Sequence, residues 1–295
     1  MPRCESHGDT RFINRHLRRR MRPRLRQALT LGLTQLSAGT ARRLPSRGIL
    51  LRGLGAAAVA IPLATETYSR APPTWRAQTL PPLRVEAGVQ SLAIVLPGAG
   101  GPDANVERIV RALRQRDGKG TAVMYDWSSF VGDSLRAPYN AQRVGEHLGT
   151  EVARLAGLRR LHVVGVSVGA FAADALLDTL ARLRPGAVFT KVSFLDPFTA
   201  RGIAGLARPG SAYGLGKFGS SADEAECIFN TDDPVPSTSR PLRLAANLDI
   251  TDAAARTNFV PLPGDSLHSW PAAWFGLTGA WPGTLPPRGE VRKVP

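Results

Sequence analysis

Short apolar runs alternate with stretches of spaced apolar residues from about residue 88 onward. The runs are five to eight residues long and nearly continuous in apolar side chains, which is typical of parallel strands buried on both faces. The runs predicted as strands are Ser91–Leu96, Thr121–Tyr125, Leu161–Gly165, Val188–Leu195 and Glu226–Asn230.

Between these runs, apolar residues recur at three- and four-residue spacing, which indicates helices with one buried face. Helices are predicted after Asp103, a residue suited to a helix N-cap, at about Asn140–Leu155 and at Phe171–Leu183. Strands that alternate with helices in this way form a parallel sheet through right-handed crossovers. The fold class is therefore predicted to be α/β, with a mostly parallel central sheet and helices on both faces.

The N-terminal part of the chain has a different composition. Its first 45 residues are rich in Arg and almost free of acidic residues, and a weakly apolar run follows at Gly48–Ala64. An Arg-rich, acid-poor start is typical of organelle targeting segments. The chain is therefore divided into a targeting leader at 1–70, a Pro-rich linker at 71–87 and an α/β domain at 88–295.

The leader also predicts a location. Its two parts resemble an organelle import sequence with a second signal behind it, which fits a chloroplast. The pair Arg42–Arg43 before the apolar run leaves a bacterial twin-arginine export signal as the alternative. The run at 48–64 is interrupted by Arg52 and Pro62 and is shorter than the roughly 20 apolar residues of a membrane span. It is predicted to be the apolar part of a cleavable signal, with a retained anchor as the remaining option.

The formal charge of +15 is unevenly distributed along the chain. Residues 1–70 contain 14 basic and 3 acidic side chains, which leaves 24 basic and 20 acidic side chains for residues 71–295. The body of the chain is thus nearly balanced. Because it also contains no zinc-finger spacing or RNA-binding signature, no nucleic acid is predicted as a partner.

The stretch Gly165-Val-Ser167-Val-Gly169 lies between a predicted strand and a predicted helix. A Gly-x-Ser-x-Gly sequence at such a junction is typical of a nucleophile elbow, in which a sharp turn exposes the serine and small residues prevent collision. The N-terminus of the helix behind the serine favours negative charge. Ser167 is therefore predicted to be a catalytic nucleophile, with an ordinary turn residue as the alternative.

A serine nucleophile needs a base, usually a histidine, and in α/β-hydrolases the chain order is serine, acid, histidine. His268 is the one histidine of the sequence that follows Ser167, so it is predicted to be the base. Catalytic groups collect at the carboxyl ends of parallel strands. Asp196 directly follows one predicted strand, and Asp233 follows the next strand as the alternative acid.

The reaction of such a serine also needs two backbone N–H donors for the oxyanion. These are predicted from Val168, which follows the serine, and from Ala99 in the Gly-rich loop Leu96–Gly101. That loop lacks the spacing of a phosphate-binding loop. Cys, His and acidic residues show no metal-ligand spacing along the sequence, so neither a metal nor another cofactor is predicted.

At these residues the chain resembles the pancreatic-type lipase family of the α/β-hydrolases, over roughly residues 90–235. The similar segments are Val95–Ala99, Tyr125–Trp127, Tyr139–Gly145, Gly165–Gly169 and Phe194–Pro197. The resemblance implies an α/β-hydrolase-like fold, and its Leu-Asp-Pro segment implies Asp196 as the acid. Pro97 and Ala99 replace a histidine and an aromatic residue of the family, and the cysteines of the family's lid have no counterpart.

The sequence thus predicts a serine hydrolase that cleaves carboxylic esters, lipid acyl esters in particular, with Ser167, Asp196 and His268 as the triad. A lipid or small ester is the expected partner, together with peripheral contact with a membrane. Two alternatives stay open, because a fold does not determine a reaction. One is a catalytically silent α/β-hydrolase-fold binding protein, and the other is a peptidase or thioesterase on the same triad.

Overall fold

The computed structural model describes residues 60–71, 79–117, 120–202, 205, 212–262, 266–279 and 283–295. From Ala58 onward the chain forms one compact unit. Most of the predicted leader and residues 72–78 of the predicted linker lie outside the described residues. The division into leader, linker and domain therefore stays a prediction, as does the location that it implies.

A seven-stranded sheet forms the centre of the unit, and all of its strand pairs are parallel. The strands are β1 (Ser91–Leu96), β2 (Thr121–Met124), β3 (Arg160–Val166), β4 (Phe189–Leu195), β5 (Glu224–Phe229), β6 (Ala246–Asp249) and β7 (Val291–Lys293). Their order is β2-β1-β3-β4-β5-β6-β7. Because the carboxyl ends of parallel strands meet at one edge, β3, β4 and β5 place their following loops side by side there.

Helices cover both faces of this sheet. They are α1 (Ala104–Asp117), α2 (Ala137–Ala153), α3 (Gly169–Leu183), α4 (Tyr213–Lys217) and α5 (Trp270–Thr278). Helices α2 and α3 pack on one face through a core that includes Leu148, Phe171 and Phe194. Helices α1 and α5 pack on the other face through residues such as Ile109 and Trp274. Two covered faces explain why the central strands are almost continuously apolar.

The predicted α/β fold is confirmed, and the sheet is parallel throughout. The five predicted strands are present, with ends that differ from the prediction by at most two residues. Strands β6 and β7 were not predicted. The apolar pattern of β6 is broken by Asn247, which is buried because its amide donates to Leu242 O (3.0 Å) and Ala245 O (2.9 Å). Strand β7 is an exposed edge of three residues with no apolar run.

Residues N-terminal to β1 also contact the unit. A helix spans residues 60–70, and Leu80, Leu83 and Val85 of the predicted linker pack against the core under α2 and α3. Among the helices that the structure describes, none has both the length and the apolar character needed to cross a bilayer.

Candidate active site

Ser167 lies in the tight turn between β3 and α3. Its backbone φ is +52°, a left-handed conformation that is uncommon for residues other than glycine. Its N–H donates to Leu195 O (3.0 Å) at the end of β4, and its carbonyl accepts from Ala170 N and Phe198 N (both 3.1 Å). These bonds hold the strained residue in place, which is the backbone geometry of a nucleophile elbow.

The two glycines of the motif make this turn sterically feasible. A Cβ atom at Gly169 would lie 2.5 Å from Leu96 O, and one at Gly165 would lie 2.9 Å from Ala170 Cα. Both contacts are with backbone atoms, which cannot move aside as a flexible side chain can. The Gly-x-Ser-x-Gly spacing is therefore required by the close packing of α3 on β1 and β3.

The Gly-rich loop after β1 lies directly against the serine. A Cβ atom at Gly98 would lie 3.2 Å from Ser167 Cβ. Trp127 holds this loop in place, because its buried Nε1 donates to Pro97 O (2.9 Å). Within the described residues, neither the Ala99 N–H nor the Val168 N–H donates a hydrogen bond to an acceptor in a loop, in a turn or on a side chain. The oxyanion hole predicted at these two groups stays a prediction.

His268 lies in a 3₁₀ turn, Leu267–Ser269, directly before α5. Its backbone N–H donates to Ser266 Oγ (3.2 Å), and the adjoining Trp270 is anchored because its Nε1 donates to Ile250 O (2.9 Å). The His268 side chain is 21% exposed. The turn therefore holds the ring at the surface of the carboxyl edge of the sheet without burying it completely.

Two carboxylates face one ring nitrogen of His268. The Nδ1 atom lies 2.7 Å from Asp233 Oδ2 and 3.4 Å from Asp196 Oδ2. Asp196 follows β4 and Asp233 follows β5, and these strands are neighbours in the sheet. Both candidate acids thus reach the same point. The hydrogen bond is made by Asp233, which stood as the alternative acid on sequence grounds.

The two carboxylates are held differently. Asp233 Oδ2 also accepts from Thr238 Oγ1 (2.5 Å), and its Oδ1 accepts from Val235 N (2.9 Å). Asp196 has a φ of +43° and accepts from Ser239 N (3.1 Å) through Oδ1. Its buried Oδ2 has no hydrogen-bond partner among the residues that the structure describes. Asp233 is therefore the fully bonded carboxylate, whereas Asp196 retains an unused oxygen.

The pKa values of the three groups shift in different directions. Burial lowers the pKa of His268, but the close contacts with Asp196 and Asp233 and the negative charges of both outweigh it and raise this pKa to about 9. Burial raises the pKa of Asp196 to about 7, against the opposing effect of His268. Burial also raises the pKa of Asp233, but hydrogen bonds from His268 and other donors outweigh it and lower this pKa to about 2. The contacts therefore favour the charged form of the imidazole and the ionised form of Asp233.

The contact between the base and the nucleophile is not formed. The buried Nε2 atom of His268 has no hydrogen-bond partner within the described part of the chain, and Ser167 is partly exposed. The structure brings His268, Asp196 and Asp233 together at the sheet edge that also carries Ser167, and it leaves the serine–imidazole bond open. Catalytic hydrogen bonds are often long without substrate and tighten when it binds.

The same three side chains also have the composition of a metal site. Their ligand atoms lie within 4.8 Å of one another. Two ligands of one tetrahedral zinc ion, each about 2.1 Å from the metal, are about 3.4 Å apart. His268 Nδ1 and Asp233 Oδ2 are 2.7 Å apart, which is the length of a charge-assisted hydrogen bond. The geometry therefore fits a hydrogen-bonded acid–base pair better than two ligands of one ion.

A second histidine network crosses β3, β4 and β5, on the face covered by α1 and α5. His162 Nε2 lies 2.7 Å from Ser193 Oγ, which in turn donates to Glu226 Oε1 (2.5 Å). Lys191 Nζ lies 3.3 Å from Glu226 Oε2. Ser193 and Glu226 are almost completely buried, and Phe275 of α5 lies edge-on to the His162 ring. The strand pattern gave no signal for this network, because its polar residues are embedded in apolar runs.

The likeness of this chain to known proteins is weak and lies in its structure. No family model matches the chain, and no curated protein matches it. Among solved structures, it is similar to a protein assigned to the alpha/beta superfamily of hydrolases from Xanthomonas campestris pv. campestris, at 14% identity and a TM-score of 0.39, over 64% of this chain and 97% of that one. It is also similar to Aspergillus fumigatus lipase B, at 12% identity and a TM-score of 0.36, over 50% of this chain and 38% of that one.

These likenesses are too weak to bear on the chemistry of the site, and the resemblance to the pancreatic-type lipase family found no support in them. The α/β-hydrolase-like architecture predicted from the sequence rests on the molecule itself. It consists of a parallel sheet covered on both faces and a serine turn at the junction of β3 and α3.

Proposed function

We propose that this chain is a serine hydrolase that cleaves carboxylic esters. Two observations support this proposal together. Ser167 has a positive φ in a turn that only glycines at 165 and 169 allow. His268, at the same edge of the sheet, lies beside two carboxylates. The positive φ of Ser167 and the burial of the Asp196 carboxyl, which raises its pKa to about 7, are both unfavourable for stability. Functional sites are where proteins retain such arrangements.

In the proposed reaction, Ser167 Oγ attacks the ester carbonyl carbon while His268 Nε2 accepts the hydroxyl proton. The N–H groups of Ala99 and Val168 donate to the oxyanion of the tetrahedral intermediate. The intermediate collapses and the alcohol leaves with the proton returned by His268. Water, deprotonated by the same imidazole, then hydrolyses the acyl-enzyme and restores the free serine.

We propose Asp233 as the acid that fixes the tautomer of His268, because it makes the 2.7 Å bond to Nδ1. Asp196, the acid that the family resemblance implies, is proposed as a second carboxylate to which the ring can turn, since its unbonded Oδ2 is 3.4 Å away. Whichever carboxylate bonds Nδ1, Nε2 is directed away from the acids. Nε2 is then the nitrogen that can accept the proton of Ser167 Oγ.

Among carboxylic esters, we propose lipid acyl esters as the substrates. The support is the resemblance of motifs to lipases, which is specific to the segments around Ser167 and Asp196. We also propose that the protein contacts a membrane peripherally. The Arg-rich leader supports import into a chloroplast, which is the last part of this proposal.

The test is a fluorophosphonate probe, which reacts with an activated serine, followed by peptide mass mapping of the labelled residue. Label on Ser167 is expected, together with turnover of p-nitrophenyl esters in a series of graded chain length. Ser193→Ala is the matched control, since it removes a serine hydroxyl that also lies near a histidine. Absence of label on Ser167, or Ser167→Ala turnover within tenfold of the original, would overturn the proposal.

A second candidate is a catalytically silent binding protein on the same fold. The open contact between His268 and Ser167 favours it, because an activated serine needs that bond at some stage. A silent protein would bind an ester without acquiring label and without releasing alcohol. A panel that adds galactolipids, phospholipids, triacylglycerols, a peptide and a thioester separates an esterase from a peptidase or thioesterase.

A further inference from the structure

We infer that residues 60–71, named the strap, are a permanent part of the folded unit, and that any proteolytic removal of the leader cuts the chain upstream of residue 60. The strap contains the end of the apolar run Gly48–Ala64, so sequence pattern alone assigns it to the removable leader. Its contacts instead tie it to the domain.

Two tyrosine–carboxylate bonds of opposite sense join the strap to the start of α2. Tyr68 Oη in the strap donates to Asp133 Oδ2 (2.5 Å), and Tyr139 Oη in α2 donates to Glu66 Oε1 of the strap (2.5 Å). Asp133 is itself held in the turn that precedes α2, because its Oδ1 accepts from Leu135 N (3.0 Å). The bond from Tyr68 is the main reason that the pKa of Asp133 lies below its usual range. Each partner thus depends on a group of the other.

Two arginines of α2 and its N-terminal cap satisfy the C-terminal carbonyls of the strap. Arg143 Nη2 donates to Arg70 O (2.8 Å), and Arg136 Nη2 donates to Ala71 O (3.2 Å). The last carbonyls of a helix have no partner within the helix, so such donors cap it. Ser69, which directly precedes these capped carbonyls, is completely buried. A segment that is removed during maturation has no need of a cap built by the mature domain.

A column of alternating cations and aromatic rings continues from the strap into the domain. Arg70 lies over Tyr139 (5.7 Å), and Arg201 lies over both Tyr139 (5.3 Å) and Tyr213 (3.8 Å). Tyr213 stacks on Phe171 at 5.8 Å between ring centroids. Each arginine contact attracts the guanidinium to the negatively polarised face of the ring. The column ends in the first turn of α3, directly behind the serine turn.

The segment after β4 connects this column to the candidate site. Arg201 belongs to it, Phe198 N donates to Ser167 O (3.1 Å), and Thr199 N donates to Ser237 O (2.9 Å) in the loop that carries Asp233. Removal of the strap is therefore expected to loosen the segment that follows Asp196 and the loop that carries Asp233. This consequence rests on the proposed function, whereas the retention of the strap does not.

The exposure of side chains along the strap helix supports the same conclusion. Within that helix Ile61 and Leu63 are 63% and 65% exposed, in contrast to the fully buried Ser69. The part of the apolar run that reaches the domain therefore contributes few buried apolar contacts. The anchoring is done by the polar groups at 66–71, which no targeting signal requires.

The test uses the full chain and hydrogen exchange followed by mass spectrometry. The amides of residues 60–71 are expected to exchange at least tenfold more slowly than in an unfolded chain, in both the original protein and Ser167→Ala. Ser69→Arg should abolish this protection, because the buried position cannot hold the side chain. Thr67→Arg is the matched control on the exposed side of the same helix, where each hydroxyl makes the same bond to a carbonyl four residues back (2.8 Å).

The N-terminus of the mature protein, read by mass spectrometry after purification from its own cells, is expected upstream of residue 60. Exchange of residues 60–71 at the rate of an unfolded chain would overturn the inference even if Ser69→Arg fails to fold. A mature protein that begins after residue 71 would overturn it as well. Neither readout depends on ester turnover, so failure of the proposed hydrolase activity is seen separately.

Discussion

His268 and His162 are both partly buried histidines near carboxylate groups, yet their pKa values move in opposite directions. Two carboxylates at Nδ1 raise the pKa of His268 to about 9, although burial opposes them. Burial, followed by the positive charges of Lys191 and Arg116, lowers the pKa of His162 to about 3. The difference arises because one ring touches its acids directly, whereas a serine separates the other from Glu226.

The order of the groups decides what each network can do. In the interior, the Ser193 hydroxyl proton goes to Glu226, so His162 must donate its Nε2 proton to Ser193 Oγ. That hydroxyl cannot be activated, and burial keeps substrates away. At the sheet edge the acids lie at Nδ1 of His268, and the buried Nε2 has no hydrogen-bond partner among the described residues. An acid bonded to a histidine is the arrangement that the proposed triad needs, whereas the histidine–serine–acid order makes the serine hydroxyl a donor to the acid.

The largest expected effect comes from replacing one serine in each network by alanine. Ser167→Ala is expected to lower kcat by about 10⁴-fold or more, because members of a triad act as a unit. Ser193→Ala should keep kcat within a few fold and lower Tm instead, since it leaves buried Glu226 without its bond. Steady-state rates on one p-nitrophenyl ester and thermal unfolding measure both. Equal losses of kcat in the two variants would end the distinction.

The histidines provide the next test. His268→Gln is expected to lower kcat by on the order of 10³-fold or more, because no other base is near Ser167 in the proposed mechanism. His162→Gln retains a donor for Ser193 and should leave kcat nearly unchanged. The contrast is measured on the same ester, with circular dichroism as a check on folding. If His162→Gln were as inactive as His268→Gln, the interior network would have a catalytic role that its burial argues against.

The acids test how the sheet edge differs from a standard triad. Asp233→Asn is expected to lower kcat by about 10²-fold, less than the roughly 10⁴-fold loss for a lone triad acid, because Asp196 can take over Nδ1. Asp196→Asn alone should have the smaller effect, and the double variant should lose more than the sum of both in free energy. Simple additivity in this double-mutant cycle would show that the two carboxylates do not share the ring.

Much of this architecture could be predicted from residue patterns, and the reasons differ between elements. Strands β1 to β5 were found because both faces of the sheet are covered, which makes their sequences apolar. The turn at Ser167 was found because backbone crowding at Gly165 and Gly169 permits only glycine. Strand β6 was missed because buried Asn247 is paired by backbone groups that no local pattern reveals.

The candidate acids show where sequence reasoning ends. Both Asp196 and Asp233 follow strands, and their position alone gave Asp196 only a small advantage. The ranking depends on the loop after β5, where Thr238 and Ser239 bond one carboxylate each. Those bonds come from residues in irregular backbone, with positive φ at Ser237 and Ser239, and only the folded loop brings them to the acids. The resemblance to a lipase family favoured Asp196, whereas the bond length favours Asp233.

The pH dependence of the reaction sharpens the comparison further. A base must be neutral to act, so kcat/KM is expected to rise with pH until the pH passes the pKa of His268, about 9. Asp196→Asn removes one of the two charges that raise this pKa, so the rising limb should shift to lower pH and increase the relative rate at pH 7 by up to about tenfold. A limb near pH 6.5 that Asp196→Asn does not move would contradict the role given to both carboxylates.

The smallest effect is expected in the interior network and concerns stability alone. The pKa of His162 is about 3 when folded, below the 6.5 of an unfolded histidine, so the folded state binds fewer protons between these values. Its contribution is therefore present above pH 6.5 and is lost as the pH falls toward 3, by about 3 kcal/mol at pH 4. His162→Gln cannot titrate and should flatten this part of the stability profile. Urea unfolding of both proteins at pH 7 and pH 4 isolates the difference, since all other titrating groups are shared. A His162→Gln profile as steep as the original would mean that the ring is protonated in the fold, next to Lys191, and that burial does not separate the two histidines.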